Sequence, residues 1–257
     1  MYYRVTRTII VMRTFSGTPG QWNTHPGVGH CHILSDPGML RECNNDLFDP
    51  EALRARGQWT GSSSGRRATH FLRHEGRDWV LRHYWRGGLM ARVATDTYLW
   101  TGLERSRPVR EWRLMARLHE LGLPVPRPGA ARVCRHGPVY RGDLLSERIP
   151  DSHPLDEWIG DGKDAPELWD AIGRVIARFH AHGAWHADLN ARNILIQGNG
   201  QVWLIDWDRG RIGYHRALQD NLSRLRRSLD KWPATRERGA LGWPHLLQAY
   251  NEERKPA

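Results

Sequence analysis

Lysine is nearly absent from this chain of 257 residues, in which the only lysines are Lys163, Lys231 and Lys255. Arginine therefore carries almost all of the positive charge, and the chain has a formal net charge of +10 and a pI of about 10.1. Such a charge predicts an anionic partner, whether a nucleic acid, an acidic membrane surface or a phosphorylated glycolipid. The sequence has no zinc-finger spacing, no aromatic RNA-binding motif and no basic heptad region, so we expect no nucleic-acid partner.

Cysteine and long apolar runs are also scarce. The three cysteines, Cys31, Cys43 and Cys134, are odd in number and widely spaced, which favours reduced thiols in the cytosol over a disulfide framework. His25, His30 and His32 lie near Cys31 and Cys43 in the sequence, and together they could offer zinc ligands. The two cysteines are not spaced as a Cys-x-x-Cys pair, however, so the pattern does not favour a zinc site. No run approaches the roughly 18 apolar residues that span a bilayer. The short apolar patch near the N-terminus does not fit a signal-peptide core, and we expect a soluble or peripheral protein that is not secreted.

The segment from His186 to Asp208, HADLNARNILIQGNGQVWLIDWD, is the most informative in the chain. Its pattern H-x-D-x-x-x-x-N is typical of loops that transfer a phosphoryl group from ATP. In such loops the Asp accepts the proton of the acceptor hydroxyl, and the Asn binds Mg²⁺. The pattern therefore predicts Asp188 as the base and Asn193 as a metal ligand.

A second carboxylate follows a predicted hairpin. The aliphatic run after Asn193, the Asn199-Gly200 turn and the apolar return strand over 202–205 predict two antiparallel strands. Asp206 comes directly after the second strand and offers the hard oxygen that Mg²⁺ prefers. The alternative is that these polar residues only form a turn and cap a strand, but their order around a hairpin favours the site.

The first part of the chain is less regular. Residues 1 to about 50 show no convincing periodicity, so we expect an irregular extension there. From Trp59 the pattern predicts a Gly/Ser-rich turn, a strand, a second turn and a second strand, as in a glycine-rich β-hairpin over phosphates. Gly61 and Gly65 would allow backbone amides to approach a phosphate, although a plain connection is the alternative.

Two helices flank a further strand. Pro108 opens a predicted helix that ends near Leu121. Within it Glu111 is either a surface charge or the partner of a basic residue on the preceding strand. A second helix, from Pro166 to Gly183, leads directly to the catalytic segment. Between them, residues 139–149 supply a strand and then a connecting segment over 143–149. We expect an inter-lobe hinge there, whose backbone groups would meet adenine.

The C-terminal segment over 214–232 predicts an amphipathic helix with four leucines on one stripe and arginines elsewhere. A basic amphipathic helix can lie on a membrane. Packing of the leucine stripe against the lobe, with the arginines outside, is the favoured alternative.

With these elements in order, the chain resembles the 3-deoxy-D-manno-octulosonic acid (Kdo) kinases of lipopolysaccharide inner-core synthesis, members of the protein-kinase-like superfamily. The resemblance runs from about Ile33 to Trp232. Beyond the catalytic segment, it rests on the runs WVLRHY, RGGL, YLWTGLER, REW, GLPVP and DLLSERI, in that order along the chain. It implies an α+β, two-lobed fold, with an N-terminal extension over 1–50, a β-rich lobe over 51–147 and a mainly helical lobe over 148–257.

The resemblance also implies roles for individual residues. Asp188 would be the catalytic base, and Asn193 and Asp206 would bind Mg²⁺. The residues that would bind ATP are Gly61, Gly65 and Arg66 of the phosphate loop, Arg82, Glu111 and Glu147. Arg82 stands where protein kinases have lysine, and we expect its guanidinium to contact the α- and β-phosphates. Asp208, after Asp206 and Trp207, either caps a turn, which we favour, or contacts the metal through water.

The function implied is ATP-dependent phosphorylation of a hydroxyl, the 4-hydroxyl, of the Kdo sugar on Kdo-lipid IVA. The protein would act as a peripheral enzyme at the anionic cytoplasmic face of the inner membrane. The absence of an A-P-E activation segment argues against a peptide substrate. The alternatives are a kinase for heptose or an aminoglycoside, and a pseudokinase scaffold.

Overall fold

The computed structural model describes residues 9–10, 21–25, 30–63, 69–86, 96–213 and 218–255. The chain divides into two compact units. The first comprises Met1–Arg117 and Arg127–Arg148, and the second comprises Leu118–Pro126 and Ile149–Ala257. No helix in the described part of the chain is both long and apolar enough to cross a bilayer.

The first unit is built around an antiparallel sheet. Among the described residues nine strands join in the order β1-β2-β3-β8-β9-β6-β5-β4, and β7 also pairs with β9. The strands are β1 (Ile9–Ile10), β2 (Gln21–His25), β3 (His30–Ser35), β4 (Trp59–Ser62), β5 (His70–His74), β6 (Arg77–His83), β7 (Tyr98–Leu99), β8 (Pro128–His136) and β9 (Val139–Glu147). Alternation along β6 buries Trp79 and Leu81, as expected for a sheet with one face on the core.

Two helices accompany this sheet. The short helix α1 (Pro50–Ala55) begins at Asp49, whose side chain accepts hydrogen bonds from the Glu51 and Ala52 amides. It buries Leu53 in the same cluster as Ile33, Leu72, Trp79 and Leu145. The longer helix α2 (Arg107–Glu120) buries Trp112, Met115 and Leu118 on one face, which confirms the helix predicted from Pro108.

The second unit is mainly helical. Its helices are α3 (Leu155–Gly160), α4 (Pro166–Ala181), α5 (Leu218–Leu229) and α6 (Pro233–Glu253), and its strands are β10 (Ser152–Pro154), β11 (Ile194–Gln197) and β12 (Val202–Leu204). The strands form a sheet in the order β10-β11-β12. The predicted hairpin is confirmed, since β11 and β12 pair in antiparallel register. A β-rich first unit and a helical second unit confirm the α+β class.

The irregular extension predicted over residues 1 to about 50 is wrong for the described part of that range. The strand β3 pairs along its whole length with β8, from His30 opposite Arg135 to Ser35 opposite Ala130. Its residues Ile33 and Leu34 are fully buried. The strand is short and is flanked by Gly, Pro and His, so its pairing with a segment about 100 residues away leaves no periodic trace in the sequence.

The prediction of reduced thiols is also wrong for two of the three cysteines. Cys31 on β3 lies directly opposite Cys134 on β8, and the two form a disulfide. Cys43 is a free thiol, and burial is the main cause that raises its pKa to about 12. No group of three or more His, Cys, Asp or Glu side chains suited to a metal is present among the described residues.

The predicted hinge is a strand over most of its length. Residues 143–147 are the last five of β9, which pairs with β8 on one side and β6 on the other. The amide of Glu147, the last of these residues, donates to the Arg127 carbonyl, and the amide of Arg148 donates to the Asp78 carbonyl, both at 2.9 Å. A connecting segment over 143–149 is therefore wrong for residues 143–147, because their backbone groups belong to the sheet.

The leucine stripe of the C-terminal segment is buried. Leu218, Leu222, Leu225 and Leu229 of α5 are each at most 6% exposed, which confirms packing on the protein over membrane contact. The helix ends at Leu229, and α6 then begins at Pro233. This last helix was not predicted. It packs closely on α4, where a Cβ on Gly242 would lie 2.0 Å from the Trp169 ring.

Candidate active site

The predicted catalytic loop, the segment over 186–193 that we call the catalytic loop, follows α4, which ends at Ala181. The backbone of Trp185 forms a two-way bridge with that of Arg211, with N···O distances of 2.7 and 3.0 Å. The next residue, His186, is 1% exposed, whereas the side chain of Asp188 is 60% exposed. The loop is therefore anchored at its buried histidine and presents the predicted base to solvent.

His186 links the loop to the residue before Asp206. Its Nδ1 accepts a hydrogen bond from the Asp188 amide at 3.1 Å, so its Nε2 carries the proton that is donated to the Ile205 carbonyl at 2.9 Å. Burial lowers the pKa of His186, which keeps the ring neutral in this arrangement. The imidazole thus joins the backbones beside both predicted carboxylates.

Asn193 is oriented by the same loop. Its side-chain amide donates to the Asp188 carbonyl at 2.9 Å, and its backbone carbonyl accepts from the Ile205 amide at 3.0 Å. Because the amide nitrogen is used in the loop, the amide oxygen is the atom of this side chain that could accept a metal ion. An amide oxygen and the Asp206 carboxylate are hard donors that suit Mg²⁺, which completes its coordination with phosphate and water.

Asp206 lies at a tight change of direction. Its φ of 62° is in the left-handed region, which Asp tolerates better than most residues other than glycine. The following Trp207 is fully buried. It stacks on Phe179 with ring centroids 5.0 Å apart, contacts His186 at 4.6 Å, and donates its indole N–H to the Leu204 carbonyl at 3.1 Å. The packed indole fixes the backbone on which Asp206 sits.

Helix α5 contacts the catalytic loop through three successive turns. Asn221 accepts from the His186 amide at 3.1 Å and donates to its carbonyl at 2.6 Å. One turn later, Arg224 Nη1 lies 3.2 Å from Asp188 Oδ1, and Ser228 accepts from the Ala191 amide at 3.0 Å. Asn221, Arg224 and Ser228 are not among the residues predicted for the site from the sequence. Their spacing of three, four and seven places them on one helix face, but this spacing alone does not show that the face meets the loop.

A buried polar chain supports this contact from behind. His180 of α4 bonds Asn221 Oδ1 through Nε2 at 3.2 Å and the Tyr250 hydroxyl through Nδ1 at 2.8 Å. Burial is the main cause that lowers the pKa of His180 to about 4, and the charge of Arg254 acts in the same direction. Helices α4, α5 and α6 thus each contribute one residue to this buried polar chain of hydrogen bonds, which ends at the backbone of the catalytic loop.

In the first unit, Arg82 and Glu111 form an ion pair. Arg82 Nη2 lies 2.5 Å from each carboxylate oxygen, the Glu111 side chain is 1% exposed, and the Tyr84 hydroxyl donates to the same carboxylate. Of the two alternatives for Glu111, the structure therefore shows the ion pair and not a surface charge. A buried carboxylate requires such a partner, so Glu111 holds the Arg82 guanidinium in a defined position.

The other predicted ATP-binding residues differ in what the structure shows. Gly61 lies on β4 at a register shift and has a φ of 154°, which residues with a Cβ rarely adopt. Gly65 and Arg66 lie outside the described residues. Glu147 ends β9, and its side chain lies 3.3 Å from Arg77 Nη1. The roles of all these residues in ATP binding stay predictions.

Comparison with known proteins identifies the family. Residues 51–250 match the lipopolysaccharide kinase (Kdo/WaaP) family. A relative named 3-deoxy-D-manno-octulosonic acid kinase from Stenotrophomonas maltophilia (strain R551-3) is 47% identical over 80% of this chain and 82% of its own length. Relatives with that name from Xanthomonas euvesicatoria pv. vesicatoria and Photobacterium profundum are 43% and 39% identical, over 88% and 85% of this chain and 91% and 94% of theirs.

These matches confirm the resemblance predicted from the sequence. The chain is a kinase, an ATP-dependent phosphotransferase, and it belongs to the lipopolysaccharide kinase (Kdo/WaaP) family.

Proposed function

We propose that the chain phosphorylates a hydroxyl of Kdo, the 4-hydroxyl, on the glycolipid Kdo-lipid IVA. The observation that carries the proposal is the similarity to relatives named Kdo kinase over at least four fifths of both chains. The 4-hydroxyl and the lipid carrier come from the resemblance. The arginine-rich composition supports an acceptor that bears carboxylate and phosphate groups.

Asp188 would orient the acceptor hydroxyl and accept its proton. Its side chain is exposed while its backbone is held by His186 and Asn193, so the carboxylate can meet a substrate without disturbing the loop. Asn193 and Asp206 would hold Mg²⁺. When bound, the ion neutralises charge on the phosphates of ATP. The protein contributes position and charge, which is most of what phosphoryl transfer requires.

Arg82 would contact the α- and β-phosphates, with Glu111 as its positioning partner. A guanidinium presents several donors in one plane and can bridge two phosphate oxygens, which a lysine ammonium does less well. Gly61, Gly65 and Arg66 would contact the phosphates, and Glu147 would lie at the adenine end.

The protein would work as a peripheral enzyme at the cytoplasmic face of the inner membrane, in contact with an anionic lipid surface. The net charge of +10 supports attraction to such a surface.

The experiment is an acceptor assay with purified Kdo-lipid IVA and ATP labelled at the γ-phosphate. We expect Mg²⁺-dependent labelling of the glycolipid, with the phosphate on the 4-hydroxyl by NMR of the product. Labelling of heptose-containing or aminoglycoside acceptors only would contradict the proposal. The absence of any transfer, together with no thermal shift on addition of Mg-ATP, would identify a pseudokinase scaffold.

A further inference from the structure

The strongest feature outside the assigned residues is the position of Arg224. Its guanidinium lies 3.2 Å from the carboxylate of Asp188. The backbone that carries it is fixed on both sides, because Asn221 bonds the His186 backbone one turn earlier and Ser228 bonds the Ala191 amide one turn later. Arg224 is therefore held next to the predicted base by the fold of the second unit.

The contact contributes little to folding stability. The two side chains are 46% and 60% exposed, and exposed ion pairs contribute about 0–1 kcal/mol. The contact is made through one nitrogen of the guanidinium, not in the two-nitrogen geometry of strong arginine–carboxylate pairs. Stability therefore does not explain why an arginine stands at this position.

Nearby arginines are committed to other partners. Arg192 of the catalytic loop lies 2.9 Å from Asp156, and Arg226 of α5 bonds the Gly239 carbonyl at 3.1 Å. Among the described residues, Arg224 is the cationic side chain in contact with Asp188. Nearly half of its side chain is open to solvent, so a second anion can reach the guanidinium while the base is in place.

We propose that Arg224 binds the carboxylate of the acceptor sugar, next to the hydroxyl that Asp188 deprotonates. The inference rests on the proposed function, since a Kdo acceptor carries a carboxylate and its hydroxyls on the same small sugar. A guanidinium recognises a carboxylate through two parallel hydrogen bonds. Arg224 would thus make the enzyme selective for sugar acids over neutral sugars.

The test compares two enzymes with two acceptors. Wild type and Arg224→Ala are assayed with Kdo-lipid IVA and with its methyl ester, in which the carboxylate charge is removed. For wild type we expect the ester to raise the acceptor KM roughly 10- to 100-fold, the range of a lost charge-assisted hydrogen bond. Arg224→Ala should raise the KM for the acid by a similar factor and show nearly equal KM values for acid and ester. The KM for ATP should not change.

Arg227→Ala is the matched control, because Arg227 is an exposed arginine on the same helix. It should keep wild-type kinetics with both acceptors. Arg224→Lys keeps the charge but not the planar fork, and it should have a KM for the acid between those of wild type and Arg224→Ala.

Two results would overturn the inference in distinguishable ways. If Arg224→Ala lowers kcat equally for acid and ester and leaves the wild-type difference in KM intact, Arg224 only positions Asp188. If wild type transfers phosphate to neither acceptor, the proposed function fails and this inference fails with it.

Discussion

The backbone and the side chain of Asp188 have separate roles. Its amide and carbonyl are hydrogen-bonded to His186, Asn190 and Asn193, whereas its carboxylate is mostly exposed. Asp188→Ala removes the carboxylate and keeps every backbone bond. We expect transfer to fall by about 10² to 10⁴, with ATP affinity and melting temperature nearly unchanged, as checked by a transfer assay, a nucleotide-binding titration and a thermal melt.

Asp220→Ala is the control for this variant, since it removes an exposed carboxylate from the first turn of α5. It should retain full activity. A folded Asp188→Ala protein with wild-type turnover would rule out Asp188 as the base.

Arg82 is expected to affect both the stability of the fold and the binding of ATP. Arg82→Ala removes a guanidinium that pairs with the Glu111 carboxylate, whose side chain is 1% exposed. Removal of one partner from a buried ion pair costs about 3–5 kcal/mol, so we expect a large loss in the free energy of unfolding and a raised KM for ATP. Denaturant unfolding and steady-state kinetics measure the two effects.

Arg82→Lys separates the effect on stability from the effect on ATP binding, because lysine retains a positive charge near Glu111 but lacks the planar guanidinium. It should recover part of the stability and less of the ATP affinity. Arg73→Ala on the neighbouring strand is the control, since Arg73 is 66% exposed and its closest carboxylate is 4.0 Å away; its effect should be within about 0.5 kcal/mol. An unchanged KM for ATP in both Arg82 variants would remove Arg82 from the phosphate site.

The residues of the site differ in how far sequence could predict them. Asp188, Asn193 and Asp206 lie within one continuous segment, where residue type and spacing together reveal the chemistry. Asn221 and Arg224 act on the same loop from more than 30 residues away, and on their own helix they look like ordinary polar positions. Only the fold brings them to the loop, so no local pattern could have predicted their contacts.

Among the elements, the close contact between α4 and α6 depends on a glycine, which has no Cβ. A Cβ on Gly242 would lie 2.0 Å from the Trp169 ring, which is buried in the second unit. We expect Gly242→Ala to lower the free energy of unfolding by about 1–3 kcal/mol, as over-packing of a filled core does. Gly160→Ala is the control, because Gly160 ends α3 and a Cβ added there would have nothing within 4 Å. Equal stability of the two variants in denaturant unfolding would contradict this account.

The elements that sequence predicted are those with a local signal. Helices α2 and α4 have proline at their start and a regular apolar face, and the β11–β12 hairpin has an Asn-Gly turn. Helix α6 has Pro244 in its interior and two buried glycines, Gly239 and Gly242, all of which disfavour a helix. It is helical because it packs against α4, and that tertiary contact outweighs local propensity.

At the scale of the whole molecule, His180 in the buried polar chain makes the free energy of unfolding depend on pH. His180 has a pKa of about 4 in the fold, mainly because of burial, against 6.5 for an exposed histidine. Between these values the unfolded chain binds a proton that the folded chain does not, so acid favours unfolding. Above pH 6.5 neither state binds it, and the effect disappears.

We therefore expect the free energy of unfolding to fall as pH falls from about 6.5 towards 4, with His180 contributing a slope of up to about 1.4 kcal/mol per pH unit. The lowered pKa of His186 acts in the same direction. His180→Gln should reduce this slope whatever its effect on stability at pH 7.5, whereas His119→Gln, at an exposed position of α2, should preserve it. Denaturant titrations at about pH 7.5, 6.5 and 5.5 measure the slopes. The free energy of unfolding could instead change with pH by the same slope in wild type and His180→Gln. His180 would then not be held neutral by its position between α5 and α6, and the buried polar chain behind the catalytic loop would not be assembled as described.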